Sequence, residues 1–445
     1  MKQKKTFFDP PKILVLGFSV IILIGACLLT LPAATTNGQG LSFLNALFTA
    51  TSATCVTGLV VVDTGTTFTI FGQIVILTLI QVGGLGFMTF ATFFALILGK
   101  KISLKERILL QESLNNLSME EIVKLAKRIL IFSAVIELTG ALILSIRFSF
   151  DMSLKKAIYF GIFHSISNFN NAGFDLMGEF HSLTDYVDDP AVTLTVCLLI
   201  ILGGIGFIVM NELYEYHTIK RVSLHTKIVL CTSAILLLVG TIGIFLLEYS
   251  NQMTLKPLSL SGKILGSLFQ SVTARTAGAN TLNIGALTQS SILLIILLMF
   301  IGASPGSTGG GIKTTTFATL LGAVWSQIRG KEDVTFYRQR IEYSTIYKAL
   351  TVTLSGLFLV IFITLLLTIT EHGHDFLVLL FEATSAFATV GLSMGLTPEL
   401  SPIGKGLIIF TMFAGRVGPL TIAYAVAMRR NPDPFRYPKG KIMIG

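Results

Sequence analysis

The chain has 445 residues, 52% hydrophobic and 13% charged, against about 25% charged in an ordinary soluble domain. That composition excludes a water-soluble globular protein and implies an integral membrane protein. The net charge of +9 is no nucleic-acid footprint, because its distribution follows the membrane sides, as shown below.

In chain order, the long apolar runs are 13–31, 68–99, 129–146, 191–211, 228–247, 291–302 continuing after an interruption to 328, 349–370 and 406–428. Each is long enough to cross a hydrocarbon core of about 30 Å, which takes about 20 helical residues. Eight crossings put both termini on one side. The first run is too long for a cleavable signal peptide, and no small-residue cleavage site follows it. Cys27, Cys55, Cys197 and Cys231 lie in or beside such runs with no CxxC spacing, and are expected to be small buried hydrophobes.

Between the long runs sit four shorter ones, LSFLNALFTATSA (41–53), KAIYFGIFHSIS (156–167), GKILGSLFQSVT (262–273) and DFLVLLFEATSAFA (375–388). They are too short to cross and suit half-helices that enter and turn back. Irregular backbone at that depth must be buried in protein or line a watery cavity. The order long, short, long recurs four times. The expected architecture is an all-α polytopic membrane protein. It has eight transmembrane helices and four re-entrant half-helices, in four parallel repeats around a pseudo-fourfold pore. The boundaries are 1–100, 101–222, 223–335 and 336–430, followed by a tail at 431–445.

Each short run leads into a glycine motif: TCVTGL (54–59), NNAGF (170–174), RTAGA (275–279) and ATVGL (388–392). Gly58, Gly173, Gly278 and Gly391 are 115, 105 and 113 residues apart (173 − 58, 278 − 173, 391 − 278). The following long helices carry glycines too, GGLG at 83–86, GGIG at 203–206, the stretch from Gly302, and GRVG at 415–418. For GGLG and GGIG, close helix packing and a pore role stay equally open.

Of 33 Lys and Arg, 24 fall in the N-terminal tail, the loops after each second helix, and the C-terminal tail. Seven fall on the half-helix side: Arg147, Lys155, Lys156, Lys256, Lys263, Arg275 and Lys405. The positive-inside rule then puts both termini in the cytoplasm and the glycine motifs toward the outside. Converging glycine loops can present backbone carbonyls that replace a cation's water shell. Glycine reaches the left-handed conformations this needs. The negative C-terminal ends of the half-helices favour a cation there. The candidate filter is Val56, Thr57 and Gly58; Asn171, Ala172 and Gly173; Thr276, Ala277 and Gly278; and Thr389, Val390 and Gly391, with K+ at their carbonyls.

The stretch ASPGSTGGGIKTT (303–315) imitates a nucleotide-binding loop, but Ile312 separates Gly311 from Lys313, which displaces the lysine that must reach the phosphates. It reads instead as the third copy of a glycine-broken helix, with the break encoded by proline and glycine. Arg416 lies mid-span, where charge is costly and faces a cavity or partner; an electrostatic barrier and an ion pair with a neighbouring acid both fit. Lys313 either anchors the broken stretch or snorkels toward the cytoplasm. VVDTGTT (61–67) has the Asp-Thr-Gly of aspartic proteases but no second copy, and reads as an outer turn. HGH (372–374) is too little for a metal site. Asp175, Glu179, Asp185, Asp188 and Asp189 cluster on the outer side, where they could concentrate cations near a pore mouth; an ordinary solvated loop is the expected reading. Glu137 is mid-span with no partner named by the sequence.

The fourfold motif resembles the Trk/Ktr/HKT superfamily of potassium transporters over about residues 10–430, and size, eight spans and the interrupted third repeat resemble its Ktr-type bacterial membrane subunits. ATVGL is the copy most similar to a K+ channel TVG, and the other three depart from it. The resemblance implies K+ uptake, with Gly58 at the position where serine goes with Na+ transport in plant relatives. It implies that Ser304, Pro305, Gly306, Ser307, Thr308, Gly309, Gly310 and Gly311 form a mobile loop below the filter that gates with Lys313 and Arg416. It also implies a homodimer, each protomer with its own pore, on a cytosolic ring of nucleotide-binding (RCK/KTN-type) regulatory subunits. ATP or ADP would act only through that ring, docked on 100–107, 219–227, 329–340 and 429–441. No cofactor is expected in this chain, no nucleic acid and no enzymatic activity; Na+ activation and coupling to Na+ or H+ stay open.

Overall fold

The computed structural model describes residues 10–86, 121–419 and 421–422. The chain is almost wholly helical. In order come α1 (Pro10–Leu29), α2 (Phe43–Thr54), α3 (Thr64–Thr67), α4 (Ile70–Leu85), α5 (Glu121–Phe148), α6 (Leu154–Phe169), α7 (Pro190–Ile205) and α8 (Phe207–Ile219). Then follow α9 (Leu224–Glu248), α10 (Leu260–Thr273), α11 (Gln289–Phe300), α12 (Thr314–Ile328), α13 (Tyr343–Thr370), α14 (Phe376–Ala388) and α15 (Pro402–Val417). A two-residue antiparallel ladder, Thr335–Phe336 with Gln339–Arg340, precedes α13.

Four of the described helices are long and apolar enough to cross a membrane: Lys12–Leu29, Lys124–Phe148, Leu224–Glu248 and Tyr343–Thr370. They keep large apolar side chains outward, such as Leu138 and Phe358 at 69% exposure each. In water that would be penalised at about 25 cal/mol per Å²; against lipid it is not. Cys27 and Cys231 are exposed on this outer side, contrary to the expectation from sequence, while Cys55 and Cys197 are buried.

Helix starts are set by short polar side chains. Thr69, Ser223, Ser259, Thr288 and Ser401 each accept a backbone N–H of the first turn. Asp63 caps α3 in this way, so DTG opens a single helical turn. Two buried acids tie a long helix to the start of the next full helix. Glu248 accepts from Thr288 N at 2.8 Å and Glu371 from Ser401 N at 2.9 Å.

The short helices α2, α6, α10 and α14 occupy the centre. Each buries a phenylalanine at 0% exposure: Phe48, Phe163, Phe269 and Phe381. The helices after them do not run straight. α4, α7 and α15 stop at Gly86, Gly206 and Gly418, with φ of 81°, 100° and 92°, a conformation natural only to glycine. The run 191–211, expected as one span, is therefore two helices bent by 97° at Gly206. The expected continuations into 87–99 and 423–428, with 100–107, 429–441 and the tail 431–445, lie outside the described residues.

Candidate functional site

The four glycine motifs meet. The short helices end at Thr54, Phe169, Thr273 and Ala388, and each chain turns directly afterwards. Val56, Asn171, Thr276 and Thr389 take φ of 57°, 59°, 78° and 50°, and two residues later Gly58, Gly173, Gly278 and Gly391 take 92°, 67°, 80° and 90°. Four non-glycine residues at the same offset in left-handed backbone mark a repeated, over-determined conformation.

The turns also close a ring. A Cβ on Gly58 would lie 2.3 Å from the carbonyl oxygen of Ala172; on Gly173, 2.3 Å from Ala277 O; on Gly278, 2.6 Å from Val390 O; and on Gly391, 2.2 Å from Thr57 O. Each glycine therefore abuts the next motif's carbonyl, and the fourth returns to the first. Only glycine tolerates both the approach and the φ. The preceding residues are pinned from behind. Thr57, Ala172 and Val390 donate N–H to Ser52, Ser167 and Ser385 carbonyls at 2.8 to 2.9 Å, and Ala277 donates to Thr273 O at 3.0 Å.

On one side of the ring opens a cavity of ≈ 320 Å³, lined by the four glycines with Asp63, Asp175 and others. Asp175 is not the solvated loop residue expected from sequence. Burial pushes its carboxyl up to about 7, Met177 N–H opposes this, and the Asp63 charge adds to it.

On the other side lies the chain between α11 and α12. Gly309 and Gly310 press on the ring, where a Cβ would meet Thr276 Oγ1 at 2.0 Å and Thr389 Oγ1 at 2.3 Å. Thr308 N donates to Gly203 O at 3.2 Å, and Ser304 N to Gly204 O at 3.0 Å. Thr308 Oγ1 also donates to Gly203 O at 3.0 Å. Gly306 O accepts from Phe207 N at 2.9 Å, and Ser307 Oγ bonds back to Ser304 O at 2.6 Å. Pro305 O packs on Gly206, and Gly311 on Gly302.

Two cations hold this segment. Lys313 Nζ donates to Gly309 O at 2.7 Å, so it anchors the loop and does not snorkel away. Arg416 donates to the carbonyls of Thr308, Gly83 and Gly84. Its partners are backbone dipoles; the alternative of an acidic partner is not what the described residues show. The GGLG and GGIG glycines pack closely. A Cβ on Gly83, Gly203 or Gly415 would lie 1.9, 1.9 or 1.8 Å from Thr54, Phe169 or Phe387 O.

The sequence missed three features. Non-glycine residues carry half of the left-handed turns, for which no residue-type signal exists. Glu137 accepts from Gln81 at 3.0 Å and from Asn170 at 3.1 Å, partners about 56 and 33 positions away in the chain. Arg275, expected on the outer side with the loop charges, is buried at 8% exposure. Among the described residues no group of three metal-ligating side chains occurs, and His374 merely faces Glu399 at 3.9 Å.

An apolar-sided helical protein with a closed ring of glycine turns and carbonyls belongs to the class of membrane cation transporters. Residues 9–435 match the family described as TrkH, cation transport protein, and the chain belongs to that family. It is similar to the Ktr system potassium uptake protein B of Bacillus subtilis (strain 168), 49% identical over 438 residues, 98% of this chain and 97% of that protein. It is 41% identical to the Ktr system potassium uptake protein B of Vibrio alginolyticus, over 100% of this chain and 97% of that protein. It is 39% identical to the potassium/sodium uptake protein NtpJ of Enterococcus hirae, over 100% and 99%. The crystal structure of the potassium transporter TrkH from Vibrio parahaemolyticus shares the fold with a TM-score of 0.73 at 18% identity, over 96% of this chain and 87% of that one. Membership of that family makes the chain a cation transport protein.

Proposed function

We propose that the chain carries K+ inward through a channel-like pore whose selectivity filter is the ring of four glycine turns. The observation that supports this most is the ring's closure, each glycine against the next motif's carbonyl with positive φ at both offsets. Carbonyls of Val56 to Gly58, Asn171 to Gly173, Thr276 to Gly278 and Thr389 to Gly391 would replace the water of a bare K+. The C-terminal ends of the four half-helices favour the positive charge. The membrane potential draws the ion inward with about 2.3 kcal/mol per 100 mV.

In this reading eight crossings and four half-helices make four parallel repeats about a pseudo-fourfold axis, with both termini cytoplasmic. The segment 304–311 is the gate, shut by Thr308 bonds to Gly203 and by the Lys313 and Arg416 clamps. Arg416 adds a positive barrier on the path. Opening needs the segment to leave the underside of Thr276 and Thr389. The chain acts as a homodimer, and a cytosolic nucleotide-binding ring moves the gate from the basic surfaces at 219–227 and 329–340.

A second reading, K+ entry coupled to Na+, is favoured by the similarity to the Enterococcus relative, a potassium/sodium uptake protein. The test is K+ flux into liposomes holding the purified protein, under an inside-negative potential, with and without Na+ and beside a variant lacking 304–311. Flux that follows the potential without Na+ and rises in the deletion fits the gated pore. Flux in both proteins only with a Na+ gradient overturns it in favour of coupling.

A further inference from the structure

Three residues before each filter glycine stand Cys55, Asn170, Arg275 and Ala388. All four are buried, yet only the third is a cation. The Arg275 side chain borders a space also lined by Ile200, Ile201, Leu237 and Val272. It donates to Ser233 O at 3.3 Å and Ser233 Oγ at 3.1 Å, and its Nε has no partner. Among the described residues no carboxylate pairs with it. An arginine stays charged under such conditions, and a buried charge without a counter-charge is expensive, so packing alone does not account for it. By contrast Asn170, the same position in the second motif, donates to a carboxyl, that of Glu137.

The position explains what the charge does. α10 ends at Thr273, two residues before Arg275, and a helix C-terminus carries about half a negative charge. A guanidinium there offsets that end. The third half-helix therefore pulls less on a cation than its own dipole would; at the first, Arg416 on Gly83 O also lies beside the last carbonyl, but it comes from a distant helix and not from the motif itself. A conducting filter must bind its ion well enough to admit it and weakly enough to release it. We propose that Arg275 sets K+ affinity in the filter: held by Ser233 behind the third glycine turn, its charge weakens K+ binding so that the ion leaves.

This rests on the glycine ring being the K+ site. The test is calorimetric K+ titration of the purified full chain, with maximal K+ flux in liposomes read in parallel. Arg275→Gln should bind K+ about tenfold more tightly, the scale of one unit charge acting through protein, and pass a lower maximal flux. Arg275→Lys replaces the guanidinium by an ammonium that loses its proton more readily on burial, and should fall between wild type and Arg275→Gln. Ser233→Asp leaves the arginine in place and neutralises it by pairing, so it should tighten K+ as well; it decides the matter if Arg275→Gln does not fold. A merely structural arginine would give weaker binding in every variant. Wild-type or weaker K+ affinity in Ser233→Asp, and in Arg275→Gln where it folds, overturns the inference. Gly391→Ala separates the two ideas. If it loses K+ binding while the charge variants leave affinity unchanged, only the role of Arg275 falls; if it binds K+ like wild type, the filter reading itself falls.

Discussion

The helices that follow the first, second and fourth glycine turns differ from the one that follows the third. α4, α7 and α15 lay Gly83, Gly203 and Gly415 on carbonyls at the ends of the short helices and then stop at a glycine of positive φ. The third, α11, ends at Phe300, and helix resumes only at Thr314. Its Gly302 lies instead against Gly310 O of its own loop, where a Cβ would meet the oxygen at 2.2 Å. The same device, glycine against carbonyl, thus packs a helix in three places and folds a loop under the ring in the fourth. What differs is length: one glycine ends a helix, whereas the residues between Phe300 and Thr314 fill the space beneath the ring.

The comparison breaks most sharply at the ring itself. In Gly391→Ala a Cβ must overlap Thr57 O in a left-handed residue, where conformation alone costs about 1–2 kcal/mol. K+ flux in liposomes should fall more than tenfold, by the rule of about 1.4 kcal/mol per factor of ten, and wild-type flux would show that the ring's closure is dispensable. Next comes the third unit's loop. Gly310→Ala collides with the Thr389 hydroxyl and should loosen the segment, raising resting flux by about threefold to tenfold, since opening one clamp of about 1 kcal/mol shifts a two-state gate that far. An unchanged or lower resting flux would place the constriction elsewhere.

A smaller effect sharpens the view of the outer cavity. Asp175, raised to about 7 by burial, is charged above that pH and neutral below it, so negative charge at the mouth is lost as pH falls through about 7. Flux at limiting K+ should drop by about twofold between pH 8 and pH 6 on the outer side. Asp175→Asn should be low at both pH values and flat; a pH step that survives in it belongs to another group. For stability the sign is opposite. A carboxyl raised in the folded state disfavours folding once it must ionise, so protonation below pH 7 stabilises. The smallest effect is at a cap. Ser401→Ala loses the bond to Gly404 N and one bond to Glu371 and should lower stability by about 1 kcal/mol in a denaturant titration, with flux per molecule unchanged.

Much was legible in the chain. Short apolar runs ending in glycine motifs marked the four turns, because length against bilayer thickness is a one-dimensional quantity. The interruption at 304–311 was equally plain, because proline and repeated glycine oppose helix wherever they stand. Other features were hidden by their dependence on distant residues. Asn171 and Thr276 take left-handed backbone only because the neighbouring motifs hold them there. The run 191–211 has no proline, and its bend at Gly206 arises where Gly306 and Pro305 pack against it. Arg275 read as one more outer charge because burial is not written in residue type.

What the sequence determined by itself was the apolar medium the protein lives in and the order of long helix, short helix and glycine, since composition and periodicity act locally. Which carbonyl each glycine meets, which loop oxygens Arg416 and Lys313 hold, and which acid Asn170 finds were decided by tertiary structure alone. Those contacts join distant residues, Arg416 and Gly83 being 333 positions apart, and only the folded chain brings them together.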